Sequence, residues 1–106
     1  MFNIIARKSL LEYCKKYPFA ANALLEWYHE FEIAEFSSFQ NLKSVYKSVS
    51  IVGDNRVVFN ILGNQYRLVI RILFDFKAIQ IKWFGTHDEY NKIDVKKIHF
   101  KKRKKT

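Results

Sequence analysis

The first third of the chain carries apolar residues at helical spacing. Over residues 7–16 they recur every three to four positions, and Pro18 ends this pattern because the residue before a proline is pushed out of the α region. Pro18 also suits the first position of a second helix, and the apolar stripe behind it predicts a helix over about residues 18–36. Ser38 is placed to cap a short third helix that ends near Val45.

After residue 48 the period changes to two and β-branched residues accumulate. Short turn segments separate four stretches that predict a meander of strands, SVSIV, RVVFNIL, QYRLVIRILF and AIQIKWFG. Strands that follow a run of helices predict an α+β fold, with the N-terminal helices packed on one face of a twisted antiparallel sheet. The pattern leaves open whether residues 1–5 add a further edge strand.

The dipeptide Gly63-Asn64 lies between two of these stretches and predicts a two-residue hairpin loop. Counting outward from this loop pairs polar residues across the two strands, Asn60 with Arg67 and Arg56 with Arg71. The residues between them are apolar and point the other way. The sheet is therefore expected to have an apolar face for the helices and a polar face opposite.

A second hairpin, closed by Phe76 and Lys77, extends this register to the last strand. It predicts three further pairs, Ile70 with Trp83, Arg71 with Lys82, and Arg67 with Thr86. Trp83 is then expected in the core, and the polar face carries a row of cations, Arg56, Arg71 and Lys82. Like charges directly opposite each other destabilise a sheet, and a bound phosphate would reverse that sign. The row is either a solvated basic surface or an anion-binding site, and register alone does not decide between them.

Charge is spread unevenly along the 106 residues, whose net charge is +9. Residues 1–36 have a net charge of −1, residues 37–95 one of +3, and residues 96–106 hold seven cations and no anion. A block of like charge is typical of a solvated tail. We expect a single domain over residues 1–95 and a basic tail over residues 96–106 that is disordered in part. The basic excess favours a polyanionic partner.

Composition excludes several classes of protein. With 49% hydrophobic residues the chain can fill a core, yet no apolar run approaches the roughly 18 residues of a membrane span. Charges directly behind the short apolar N-terminus are in the wrong order for a secretory signal. Cys14 is alone, so an internal disulfide cannot form and a structural zinc site lacks ligands. We expect a cytosolic protein that does not associate with membranes.

Candidate chemistry follows the last predicted strand, in the segment GTHDEYNKID. His87 beside Arg67 suits RNA cleavage, in which the 2′-OH loses a proton, the phosphate charge is neutralised and the 5′-oxygen gains a proton. His87 would be the acid or base, Arg67 the phosphate clamp, and Tyr90 a hydroxyl donor or a ring that stacks on a base. The alternative is that His87 caps a turn and Tyr90 packs.

At these residues the sequence resembles the HigB family of type II toxin-antitoxin toxins, in the RelE/ParE superfamily. The matching stretches are NRVVFNILGNQYRLVI, FGTHDEYNKID, ARKSLLEYCKKYP and LLEWYHE. The resemblance implies an endonuclease that cleaves mRNA on the ribosome through the 2′-OH and needs no metal or other cofactor. It also implies a HigA-like antitoxin whose helix-turn-helix binds operator DNA, so that the toxin meets DNA only through the complex.

The resemblance carries over to individual positions. Arg67 matches the arginine that contacts the scissile phosphate, His87 falls where relatives place an arginine or another catalytic group, and Asn60 falls where some relatives have a lysine. Tyr90 is similar in type to the catalytic tyrosine or stacking aromatic residue. The second basic residue of relatives is replaced, with Arg56 and Lys92 as candidates. Expected RNA contacts are the cations Arg56, Arg71, Lys82 and Lys92.

Two other functions fit the same residues. Within the superfamily, a ParE-like gyrase poison would stall replication and leave mRNA intact. Outside enzymology, the basic face could serve an RNA-binding or interaction module without turnover.

Overall fold

The structure is a computed structural model that describes residues 2–5 and 7–93. The predicted basic tail, residues 96–106, and the end of the predicted domain at residue 95 lie outside the described residues. Within them the chain forms helices and a five-stranded sheet, which confirms the α+β class. No helix in this part of the chain combines the length and the apolar character needed to cross a membrane.

Three of the helices follow the predicted pattern, and the fourth, at His87–Tyr90, was not predicted. The helices are α1 (Arg7–Lys16), α2 (Ala21–Ile33), α3 (Phe39–Val45) and α4 (His87–Tyr90). The predicted helix over residues 18–36 begins with a 3-10 turn at Pro18–Ala20 and ends at Ile33, so it is shorter than its apolar stripe. The Ser38 hydroxyl accepts a hydrogen bond from the Asn41 N–H at 3.1 Å, which confirms the predicted cap of α3.

The sheet contains one strand more than the meander. Its strands are β1 (Asn3–Ile5), β2 (Ser50–Gly53), β3 (Arg56–Ile61), β4 (Tyr66–Leu73) and β5 (Ala78–Thr86), in the spatial order β1-β5-β4-β3-β2. The four strands of the predicted meander pair antiparallel, and the added edge strand β1 pairs with β5 in parallel, so the whole sheet is mixed. The direction of β1 depends on where the helices return the chain, which a short N-terminal pattern does not encode.

The first hairpin has the predicted register. Arg56 pairs with Arg71 and Asn60 with Arg67, around a loop in which Gly63 has a φ of +67°. Only glycine adopts this left-handed conformation without steric cost. The two-residue loop fixes the pairing of the whole β3–β4 ladder.

The second hairpin differs from the prediction. A 3-10 turn at Phe74–Phe76, followed by Lys77 with a φ of +50°, joins the strands, so that Ile72 pairs with Ile79. A β-bulge at Lys82 then moves the register one residue back toward the predicted pairing. The predicted partners of Ile70, Arg71 and Arg67 were therefore wrong, and the actual partners are Ile81, Gln80 and Gly85.

Helices α1 and α2 pack on the apolar face of the sheet. Trp27 stacks on Phe31 with ring centroids 5.1 Å apart, and Tyr13 of α1 packs on Phe84 of β5 at 5.7 Å. The fully buried side chains of this core include Leu10, Leu24, Phe31, Leu68, Ile70 and Phe84. The helical layer occupies this face, and the candidate functional residues of the strands lie on the other.

Candidate functional site

The face of the sheet turned away from α1 and α2, here called the outer face, consists of three cross-strand rows. Each row takes one residue from β3, one from β4 and one from β5. In order from the Gly63 loop, the rows are Asn60–Arg67–Gly85, Val58–Val69–Trp83 and Arg56–Arg71–Gln80. Arg67 and Arg71 are four positions apart on β4, which corresponds to about 13 Å along the strand. The outer face therefore has a polar row at each end and an apolar row between them.

Arg67 is anchored by the hairpin loop beside it. Its Nη1 donates to the carbonyl oxygens of Asn64 at 3.1 Å and Tyr66 at 3.2 Å, and its Nη2 donates to Asn64 Oδ1 at 2.9 Å. Asn60, its partner on β3, is exposed. These hydrogen bonds orient the guanidinium before an anion binds. Arginine has five N–H donors, so some of them remain available to bind the anion.

His87 is the first residue of α4 and lies next to the Gly63 loop. Thr86 caps the helix with its hydroxyl, which accepts from the Glu89 N–H at 3.1 Å, and the backbone N–H of His87 donates to the Gln65 carbonyl at 2.9 Å. His87 Nδ1 is buried and has no hydrogen-bond partner among the described residues. Gln65 lies two positions before Arg67 in the sequence. The hydrogen bond from the His87 backbone to Gln65 therefore brings both predicted residues to the same end of the sheet.

Tyr90 and Trp83 form an aromatic pair on the outer face. Their ring centroids lie 6.1 Å apart with an interplanar angle of 52°. The bulge turns Trp83 to this face and Phe84 into the core, so the prediction of a core Trp83 was wrong and sequence reasoning missed it as a site residue. The signal was Gly85 behind two consecutive aromatic residues, because a glycine inside a strand often marks a bulge or a close contact.

The cations at the far end of the outer face come together despite the altered register. Gln80, not Lys82, lies opposite Arg71. Burial lowers the pKa of the Lys82 ammonium, and the charges of Arg56 and Arg71 lower it further, so the three cations interact. Arg56 is only 3% exposed, with its Nε 3.8 Å from Asp54 Oδ2. We call Arg56, Arg71 and Lys82 the basic cluster.

This row contains buried polar atoms that lack hydrogen bonds among the described residues. Arg71 Nε and Gln80 Oε1 have no hydrogen-bond partner within the part of the chain that the structure describes. A buried donor without a partner costs free energy, and charged donors cost more. Lys92, the remaining predicted contact, is exposed just beyond α4.

Over residues 2–5 and 7–93, no group of three or more His, Cys, Asp and Glu side chains is placed to hold a metal ion. The groups that the site offers are a guanidinium, an imidazole, a phenol, an amide and clustered cations. They are suited to bind a phosphate and to exchange protons beside it.

An α+β domain with its helices packed on one face of the sheet is compatible with the fold of a RelE-like toxin. The profile of the HigB toxin family, described as the RelE-like toxic component of a toxin-antitoxin system, matches residues 20–93. The chain belongs to this family, and an antitoxin is its partner in such a system.

Individual relatives agree with the family profile. The mRNA interferase toxin HigB of Escherichia coli strain K12 is 29% identical over 91 residues, which cover 84% of this chain and 88% of the relative. The mRNA interferase HigB of Escherichia coli O157:H7 and that of Shigella flexneri match with the same identity and coverage. The similarity therefore extends over most of both chains.

Proposed function

We propose that this protein is an endonuclease that cleaves mRNA through the ribose 2′-OH. The observation that carries the proposal is that Arg67 and His87 lie at the same end of the sheet. The Arg67 guanidinium bonds to Asn64, and the backbone N–H of His87 bonds to the adjacent Gln65. The relatives named mRNA interferases support the same activity. A cleavage site needs both a clamp for the phosphate and a group that exchanges protons, and this end of the sheet offers both.

The proposed reaction is a transesterification within the RNA. The 2′-oxygen loses its proton and attacks the adjacent phosphorus, the bond from phosphorus to the 5′-oxygen breaks, and that oxygen gains a proton. The products are a 2′,3′-cyclic phosphate and a 5′-hydroxyl. Arg67 neutralises the charge of the phosphorane, His87 transfers a proton, and Asn60 and Tyr90 donate hydrogen bonds or, for Tyr90, stack on a base.

The remainder of the outer face suits a single RNA strand that runs from this end to the basic cluster. Proteins bind single strands by combining cations that follow the phosphates with aromatic rings that stack on the bases. Trp83 lies in the row between Arg67 and Arg71, and Tyr90 packs beside it. We propose that the basic cluster and Lys92 contact phosphates and that Trp83 stacks on a base.

The family membership suggests where this activity is used. We propose that the substrate is mRNA on the translating ribosome, in the cytoplasm. The proposed partner is a HigA-like antitoxin with a helix-turn-helix, and operator DNA is contacted only through that antitoxin. An adjacent reading frame of roughly 100 residues that encodes such a protein would support the pairing.

The test is cleavage of mRNA in the A site of purified ribosome complexes, with the ends of the products identified. The wild type should leave a 2′,3′-cyclic phosphate and a 5′-hydroxyl, and a double variant with Arg67→Ala and His87→Ala should leave the mRNA intact. Lys77→Ala is the matched control and should cleave like the wild type. Lys77 is a cation in the turn between β4 and β5, where it pairs with Glu35. Cleavage that survives the double substitution contradicts the site.

The two other functions predict different results. A gyrase poison would trap gyrase on DNA and leave mRNA uncut. A non-catalytic module would bind RNA equally well with and without His87→Ala and release no product from any ribosome complex. Either result would overturn the proposal.

A further inference from the structure

Helix α4 carries both His87 and Tyr90, yet it is only four residues long. A helix of this length is not stable by itself, because nucleation costs more than a single turn returns. Something outside α4 must therefore hold it against the sheet. The His87 N–H bonds to Gln65 and the Tyr90 ring packs on Trp83. Two further hydrogen bonds converge on one carboxylate, that of Glu89.

Glu89 Oε1 accepts two hydrogen bonds from different parts of the fold. The backbone N–H of Thr86 donates to it at 2.9 Å, and the hydroxyl of Tyr17 donates at 2.8 Å. Thr86 belongs to the cap of α4 itself, while Tyr17 directly follows α1 and is 72 positions away in sequence. The Tyr17 bond therefore ties the site helix to the helical layer.

The Tyr17 ring is itself fixed on the core. It makes edge contacts with Tyr66 at 5.7 Å and with Phe84 at 5.5 Å, and those two rings stack on each other. Tyr13, one turn earlier on α1, packs its ring on that of Phe84 with centroids 5.7 Å apart. Two tyrosines of one helical face thus bind the end of β5 and the helix that follows it.

The charges favour a phenol that donates to a carboxylate. Hydrogen bonds from the Thr86 backbone and from Tyr17 hold the pKa of Glu89 below its ordinary value. Burial, followed by the bond to Glu89, raises the pKa of Tyr17 to about 12. Tyr17 is therefore neutral and Glu89 ionised at neutral pH, and a hydrogen bond to a charged acceptor is stronger than a neutral one.

Gly85 leaves the space for this carboxylate. A Cβ at position 85 would lie 2.7 Å from Glu89 Oε1 and 2.6 Å from the far end of the Trp83 ring. Both distances are shorter than van der Waals contact. Because Gly85 has no side chain, the Glu89 carboxylate and the Trp83 ring can both pack against the end of β5.

We propose that Tyr17 and Glu89 are positioning residues that hold α4 in the place where His87 and Tyr90 reach the substrate. The inference rests on the proposed nuclease function, because it concerns the same site. Neither residue needs to contact RNA. Loss of the bond loosens α4 on the sheet, and a catalytic group displaced by about 1 Å loses rate by up to about a hundredfold.

The decisive variant is Tyr17→Phe, which keeps the ring contacts and removes only the hydroxyl. We expect kcat for ribosome-bound mRNA to fall about tenfold with KM nearly unchanged, since orientation rather than binding is lost. Tyr46→Phe is the matched control. It removes a hydroxyl that donates to Glu30 at 2.8 Å, on the helical layer, and it should leave kcat unchanged.

A second measurement does not depend on cleavage. The ring resonances of His87 and Tyr90 in NMR spectra should shift or broaden in Tyr17→Phe and stay as in the wild type in Tyr46→Phe. If the wild type cleaves no RNA, the proposed function fails, and these spectra still test the positioning. Unchanged His87 and Tyr90 resonances in a folded Tyr17→Phe variant would overturn the inference.

Glu89 offers a rescue experiment. Glu89→Gln keeps an oxygen that can accept from Tyr17 and Thr86, whereas Glu89→Ala removes it. We expect Glu89→Gln to retain most of the wild-type kcat and Glu89→Ala to match or exceed the loss in Tyr17→Phe. The double variant of Tyr17→Phe and Glu89→Ala should be no slower than Glu89→Ala alone, because both act through one contact. Additive losses would contradict the proposed role.

Discussion

Val69 lies opposite Trp83 in the β4–β5 ladder, and this single pairing puts the indole ring on the outer face. It exists because the bulge at Lys82 inserts one residue between Ile81 and Trp83. Without the bulge, alternation would bury Trp83 and expose Phe84. The aromatic element of the proposed RNA surface is thus a product of the register shift.

Trp83→Ala should weaken the interaction with RNA more than it weakens the fold. Stacking of a base on an aromatic ring is worth about 1–3 kcal/mol by alanine substitution, so we expect KM for ribosome-bound mRNA to rise about tenfold or more. Trp83→Phe keeps a ring and should restore most of the affinity. Equal KM values for the alanine and phenylalanine variants would contradict the stacking role.

His87→Ala should lower kcat by about a hundredfold to ten thousandfold, the usual contribution of a general acid or base. The free energy of unfolding should barely change, because it is the backbone N–H of His87 that bonds to Gln65. Single-turnover cleavage and chemical denaturation measure the two quantities. His29→Ala, at an exposed histidine of α2, is the control and should leave both as in the wild type.

Gly85→Ala should destabilise the protein by about 1–3 kcal/mol, as overpacking does, because the new Cβ collides with Trp83 and Glu89. The indole N–H resonance of Trp83 should shift, while that of Trp27, stacked on Phe31 in the core, should not. Gly63→Ala is a useful contrast. It has open space around it but a φ of +67°, so it should cost backbone strain without moving Trp83.

Lys82→Met should stabilise the free protein and weaken its binding to RNA. Burial and the neighbouring charges of Arg56 and Arg71 disfavour the charged ammonium, so its removal should raise the free energy of unfolding by roughly 0.5 kcal/mol. The slope of log affinity against log salt should fall by about 0.7 if Lys82 contacts one phosphate of a single strand. Lys77→Met should leave the slope unchanged. A Lys82→Met variant that is less stable than the wild type would contradict this account of the basic cluster.

The hydrogen bond between Tyr17 and Glu89 predicts a defined pH window for its contribution to stability. The pKa of Glu89 is lowered from 4.5, so its contribution is present above that value and is lost as pH falls further. The pKa of Tyr17 is raised from 10.0 to about 12, so its contribution is present below pH 10 and is lost as pH rises through 12. The stability difference between the wild type and Tyr17→Phe should be largest between these limits. A difference that stays constant from pH 3 to pH 12, measured by urea unfolding, would contradict the bond.

The pairing of Asn60 with Arg67 was predictable because a two-residue loop admits one register, and Gly63 and Asn64 are typical of such a loop. The pairing of Arg67 with Gly85 was not predictable in the same way. The turn before β5 is a 3-10 turn closed by Lys77, and its length is not encoded by a turn dipeptide. The actual partners on β5 therefore differ from the predicted ones. Arg71 pairs with Gln80 instead of Lys82, and Arg67 pairs with Gly85 instead of Thr86.

The candidate site shows the same division. Arg67 and His87 were identified from residue type and from the family resemblance, and neither depends on the register of β5. The exposure of Trp83 on the outer face and the hydrogen bond between Tyr17 and Glu89 were not predicted. The β-bulge turns Trp83 to the outer face, and the hydrogen bond joins residues 72 positions apart in sequence.

The sequence by itself determined the order of α1 to α3 and of β2 to β5, the apolar face of the sheet and the register of the first hairpin, because these depend on local periodicity and on one tight turn. Tertiary structure alone decided the direction of β1, the bulge at Lys82 and the placement of α4 against Tyr17. These features depend on which distant surfaces meet when the helices cover the sheet. A local pattern does not specify such contacts, and the geometry of the proposed site depends on them.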